Sequence, residues 1–253
     1  KWKIPILPGG WLLGGVLLVN LLCAHAERFK PTRSKAGIFM VHAGLIFLLL
    51  GQFLTEVFQV ESSMRIEEGK SMNYSSASLH HELAVVDTSN PGFDEVVAFS
   101  ESYLKQSGEL SHPKLPFKLR VREYFPNSEP VLAKAGVAGA LAAPQGLGEK
   151  LHFRRREVTA RLDDRNIPAA TVEVLTAAGS KGVWLVSNWV GDDALAAHVK
   201  QSFGSLAAGA TTPQEFTVDG RTYRIALRST RYYKPFSLQL IDFKHDRYAG
   251  TEK

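Results

Sequence analysis

The stretch Gly37-Ile-Phe-Met-Val-His-Ala-Gly-Leu-Ile-Phe-Leu-Leu-Leu-Gly-Gln-Phe-Leu-Thr-Glu-Val-Phe58 decides the architecture of this 253-residue chain. No Lys, Arg, Asp or Glu interrupts it before Glu56. As a helix it is about 33 Å long, which matches a bilayer core of about 30 Å. Its only other ionisable group is His42, and an ionisable side chain at that depth is by default a functional candidate. Gly37, Gly44 and Gly51 recur every seven residues and form a smooth strip that lets a second helix backbone approach closely. At about 100° per residue His42 points away from that strip, toward the side carrying Leu45, Leu49 and Glu56.

Upstream, residues 4–26 are also free of charge. Lys1 and Lys3, an apolar run and Ala24-His25-Ala26 imitate a signal peptide with its A-x-A cleavage site. A basic loop and a second apolar segment follow, however, and that order fits a helical hairpin in the membrane. Leu22 before Cys23, where a small residue is needed, argues against a lipoprotein signal. The loop holds Arg28, Lys30, Arg33 and Lys35 against one acid, Glu27, so the positive-inside rule places it in the cytoplasm. The organisation expected is a transmembrane helix at 1–26, a basic cytoplasmic loop at 27–36, a transmembrane helix with His42 at 37–58, and an extracytoplasmic domain at 59–253.

That last part has about 195 residues, enough to bury a core without cross-links. The single cysteine, Cys23, allows no intrachain disulfide and leaves the redox compartment open. Strand signals are frequent. His81–Asp87 ends in a turn-rich Thr88–Gly92, and Phe117–Tyr124 alternates apolar and polar residues. Similar runs occur at 158–162, 171–175, 182–187, 216–227 (with Asp219-Gly220 as a hairpin turn) and 236–243. The fold class is therefore a membrane protein with transmembrane α-helices and a large, mainly antiparallel β domain, either a sandwich or an open barrel. Two stretches stand apart: 134–148, rich in Ala and Gly, reads as a flexible insertion, and 192–206 has helical spacing suited to covering a barrel end.

A net charge of +5 and the run Arg154-Arg155-Arg156 raise the question of nucleic acid. Basic residues elsewhere alternate with acids, as in Arg161-Leu-Asp-Asp-Arg165, which describes a solvated β surface and excludes a phosphate-tracking stripe. No G-x-S-x-G or G-x-x-x-x-G-K-[ST] is present, and His80-His81-Glu82 is not continued into H-E-x-x-H, so no self-contained hydrolase or nucleotide enzyme is expected. His245 and Asp246, adjacent on an expected strand, point to opposite faces and read as structural.

For His42 two readings compete: a hydrogen bond to a neighbouring helix, or a metal ligand such as an axial ligand to haem iron in an apolar pocket. His25 reads as interfacial. The strings His42–Gly51, Ser63–Gly69, Leu115–Val121, Asn166–Glu173, Gly182–Ser187 and Arg231–Thr251 occur in order along nearly the whole chain. Together they resemble the ResB (CcsB) family of cytochrome c biogenesis proteins, and Arg231–Thr251 carries the most specific part of that resemblance.

The resemblance implies a subunit of the system II cytochrome c synthase in a bacterial inner membrane, multi-pass, with most of the chain in the periplasm. A CcsA/ResC-like partner would join it in moving haem b outward and attaching it to the CXXCH thiols of apocytochrome c. His42 matches the membrane histidine that ligates haem in that family, and a histidine of the partner would supply the second ligand. Catalysis would centre on the partner, leaving this chain non-catalytic or co-catalytic. The family's flanking helices, one before Lys1 and one after the external domain, are missing from the sequence, so the chain reads as the interior of a longer protein. Trp184 and Trp189 do not reproduce the partner's tryptophan-rich motif and read as packing residues. Two alternatives are a membrane scaffold with no haem contact, and a binding module whose ligand sits in an apolar pocket of the β domain.

Overall fold

The computed structural model describes residues 10–28, 32–159, 164–207, 209 and 214–244. The chain divides into two compact units, 1–60 and 61–253. In the first, α1 (Gly10–Arg28) and α2 (Ala36–Phe58) form a hairpin; a 3-10 turn, Arg33–Lys35, leads directly into α2. Residues 33–58 are long and apolar enough to cross a bilayer, whereas the apolar part of α1 is shorter, Leu12–Glu27. The start of the first expected span, 1–9, lies outside the described residues.

The hairpin has a legible seam. Along α1 the least exposed positions are Gly14, Leu18, Leu21 and His25, and along α2 they are His42, Ala43, Ile46 and Leu49. Steps of three and four, with Ala43 beside His42 on α2, keep each set on one helix face, and the two faces meet. The remaining apolar side chains of both helices stay exposed, among them Leu17, Met40, Phe47 and Leu48.

Among the described residues the second unit has eleven strands: β1 (Ser62–Ser63), β2 (Ser71–Asp87), β3 (Glu95–Ser100), β4 (Glu109–Leu110), β5 (Lys118–Phe125), β6 (Ser128–Leu132), β7 (Leu151–Arg155), β8 (Ala169–Thr176), β9 (Gly179–Ser187), β10 (Gln214–Val218) and β11 (Arg221–Gln239). Three helices accompany them: α3 (Glu101–Lys105), α4 (Asn188–Gly191) and α5 (Asp193–Phe203). One sheet runs β1-β2-β11-β10 with β3 also on β2, a second runs β4-β5-β8-β9, and β6 pairs with β7. Every pairing between these strands is antiparallel.

Period-two alternation explains why the sheets stack. Leu83 and Val85 of β2 and Tyr223, Ile225 and Leu227 of β11 share a core with Leu119, Val121, Val172, Val174, Trp184 and Val186 of the second sheet. The sandwich alternative is thus the one realised. The opposite face of the second sheet is also covered: Ala169 and Leu185 join Phe125, Leu141, Ala143, Leu147, Leu151, Phe153 and Val199 in a second core.

Several sequence expectations are corrected here. The stretch 134–148 is not a loose insertion, because Leu141, Ala143 and Leu147 anchor it in the second core. The run at 216–227 is the β10–β11 hairpin, whereas the expected strand at 236–243 is not separate: residues 236–239 end the long strand β11, and 240–243 are outside any strand. Val158 and Thr159 belong to no strand, and the rest of that expected strand, with His245 and Asp246, lies outside the described residues. The Asp219-Gly220 turn is as expected, with φ of 49° and 76° respectively, the left-handed pair required by a two-residue hairpin. Helix α5 also starts where expected, with the Asp192 carboxylate accepting from the N–H groups of Ala194 and Leu195 at 3.0 and 3.1 Å.

Between β9 and α5 the single turn α4 crosses β11 so closely that a Cβ on Gly191 would stand 2.0 Å from the Leu227 carbonyl oxygen. Backbone cannot yield as a flexible side chain can. Gly191→Ala is expected to destabilise the domain by about 1–3 kcal/mol, read as a lowered denaturation midpoint with an unchanged slope.

Candidate functional site

The hairpin places His42 in the second turn of α2. Its Nδ1 lies 2.8 Å from the Ile38 carbonyl oxygen. A carbonyl only accepts, so the proton in this contact sits on Nδ1, and in the neutral form of the ring the lone pair is on Nε2. That is the arrangement of a metal-ligating imidazole, whose second nitrogen is tied to an acceptor. That hydrogen bond is made within its own helix and engages Nδ1 alone.

Near the end of α1, His25 meets His42. Their ring centroids are 5.9 Å apart and their planes inclined at 41°, with Phe39 5.0 Å from the His25 ring. His25, expected at the interface, is brought by the seam of α1 to the face of His42. The signal was present in the spacing of Gly14, Leu18, Leu21 and His25, but it becomes legible only once the partner helix is known. Cys23, two residues earlier, is exposed.

Gly37, Gly44 and Gly51 stand on another side of α2. A Cβ added at any of them would meet no atom within 4 Å. The strip is therefore bare along the chain's own hairpin, and α1 packs elsewhere. Among the described residues no group of three or more His, Cys, Asp or Glu side chains is placed to hold a metal ion.

The β domain holds a second polar cluster. His81 on β2 places Nδ1 3.4 Å from an oxygen of Glu101, which also accepts from the Tyr124 hydroxyl at 2.7 Å and pairs with Lys105 at 2.9 Å. His81, Glu101 and Lys105 line a cavity of about 400 Å³. Burial pushes the Glu101 carboxyl up, but hydrogen bonds from His81, Lys105 and Tyr124 and the His81 charge outweigh it and hold the group at about 2. Burial, then the Glu101 hydrogen bond and charge, push the Tyr124 hydroxyl far above its ordinary range.

Glu101 therefore favours the folded state above its unfolded value of 4.5, and that contribution is lost as pH falls through about 2. The effect is on the order of 1–3 kcal/mol. Thermal unfolding measured from pH 5 to pH 2.5 is expected to fall more steeply for the native chain than for Glu101→Gln; parallel profiles would contradict the assignment.

On the next residue of β2, facing the other way, Glu82 accepts from Arg228 Nε at 2.9 Å, with both side chains 8% exposed. The two stand directly opposite in the β2–β11 ladder. Trp184 and Trp189 are packing residues: Trp184 lies in the sandwich core 5.1 Å from Phe216, and the Trp189 indole donates to the Ser128 carbonyl at 3.0 Å. No model of a known protein family matches the chain, and no curated protein matches it.

Proposed function

We propose that this chain is a haem-carrying, partner-holding subunit of a bacterial system II cytochrome c synthase. In this reading both hairpin helices span the inner membrane, residues 27–36 face the cytoplasm, and the β domain stands in the periplasm. The observation that carries the proposal is the state of His42: Nδ1 is committed to the Ile38 carbonyl, and Nε2 is left as a ligand inside an apolar helix. The ordered resemblance to ResB proteins supports the same role.

Haem b is cargo rather than a resident cofactor. His42 Nε2 would hold its iron on one side, and a histidine of a CcsA/ResC-like partner would hold the other. The bare strip of Gly37, Gly44 and Gly51 offers that partner a helix-packing surface, since small residues permit the close backbone approach that substitutes for a hydrophobic drive in lipid. The exposed apolar side chains of α1 and α2 would face lipid. The β domain would brace the partner's external site, where haem vinyl groups meet the CXXCH thiols of apocytochrome c.

The test is the absorption spectrum of the detergent-purified chain with its partner. A Soret band that co-purifies with the chain and depends on His42 is expected. A stable complex that carries no haem would turn the reading to a scaffold that holds a biogenesis complex without touching the cargo.

A further inference from the structure

On the β2–β11 ladder the register steps from Ser229 opposite His81 to Arg231 opposite Ser76, so residues 77–80 bulge against the single residue Thr230. The bulge opens a cavity of about 100 Å³ whose wall contains four arginines: Arg65, Arg165, Arg228 and Arg231. One of the four is part of the interior. Arg228 is 6% exposed, its Nε is held by Glu82, and its Nη2 is buried with no hydrogen-bond partner. A buried guanidinium N–H without an acceptor is costly, and Arg228 is among the residues that line the cavity.

The others are positioned for the same task. The Arg231 guanidinium stacks over the Tyr74 ring at 4.2 Å, a contact that fixes its plane while leaving its in-plane donors free. No carboxylate of the described residues pairs with Arg65, Arg165 or Arg231 in an ion bridge. Asp192 and Asp193 are the acids of the cavity wall, and Asp192 is engaged in capping α5. With Glu82 matched to Arg228, the wall keeps an excess of positive charge. A volume of about 100 Å³ is room for about three waters, the size of one phosphate or carboxylate group.

We infer that this cavity is a recognition site for a single oxyanion group, a phosphate or a carboxylate, gripped by Arg228 from below and by Arg231, Arg65 and Arg165 around the rim. Arginine forks suit both groups because they present paired N–H donors to paired oxygens. The site is independent of the haem reading.

The test uses the full chain in detergent. Thermal unfolding is followed against inorganic phosphate and, separately, succinate, with sodium chloride holding ionic strength constant. A saturable rise in unfolding temperature is expected with at least one of them, and the tighter binder tells phosphate from carboxylate. Arg231→Gln, and the double variant Arg65→Gln/Arg165→Gln at exposed positions, are expected to weaken binding at least about tenfold while melting like the native chain in chloride alone. His42→Ala is expected to bind the anion as the native chain does. Equal stabilisation by chloride, or unchanged affinity in the arginine variants, overturns the inference.

Discussion

On the proposed haem-carrying reading, the complex of His42→Ala with a CcsA-like partner is expected to lose most of its Soret absorbance, with haem retention lowered at least about tenfold, and to recover part of it when imidazole is added. In that reading the variant would lack this chain's own ligand to the iron, and free imidazole would restore the donor without restoring the tether. The geometry sharpens this beyond a simple loss. Because Nδ1 is tied to the Ile38 carbonyl, Nε2 is the nitrogen that would reach the iron. His42→Gln, which keeps a polar group but no imidazole, is expected to resemble alanine.

His25→Ala provides the internal control. Its ring stands 5.9 Å from that of His42, close enough to shape the ligand's surroundings, so a shifted band at near-native haem content is expected. An intact complex in which His42→Ala leaves haem content and spectrum unchanged would sink the haem proposal and favour the scaffold.

The other large effect concerns the buried pair in the sandwich. Glu82→Ala or Arg228→Ala alone is expected to cost about 3–5 kcal/mol, because each strands an unpaired charge that is cut off from water. The double replacement Glu82→Leu/Arg228→Met is expected to cost far less, within about 1 kcal/mol of the native chain or better, since desolvation of two ions nearly cancels their attraction. Denaturant unfolding of the two single variants and the double gives the coupling directly. Additive losses would show that the pair is screened by water and not buried as its 8% exposures imply. The double variant also removes the buried wall of the arginine cavity and should bind neither phosphate nor succinate, even though it remains folded.

Much of the architecture is legible from local pattern. The charge-free run Gly37–Phe58 gives a helix because its backbone bonds close within the segment, and period two gives β2, β5, β8 and β9 because one strand face must meet a core. Asp219-Gly220 gives a hairpin because few dipeptides accept two left-handed residues in succession. The pattern misled where burial came from distant partners. Residues 134–148 look loose because Ala and Gly carry little local signal, yet Leu141 and Leu147 are fixed by Phe153, Ala169 and Leu185. Period two marked 236–243 as a run but gave no hint that 228–235 would join it to β11 through bulges, since a bulge breaks the alternation that identifies a strand.

The candidate sites divide in the same way. By itself the sequence determined that His42 lies within an apolar helix opposite a glycine strip, because helical angle follows from residue number alone. Only the tertiary structure decided that His25 stands beside it, that Glu101 gathers His81, Lys105 and Tyr124, and that Arg228 and Arg231 meet Arg65 and Arg165 at one bulge. Those groups come together through helix packing and through the register between strands more than a hundred residues apart in sequence. Both are set by the sum of many buried contacts, which no short window of residues contains.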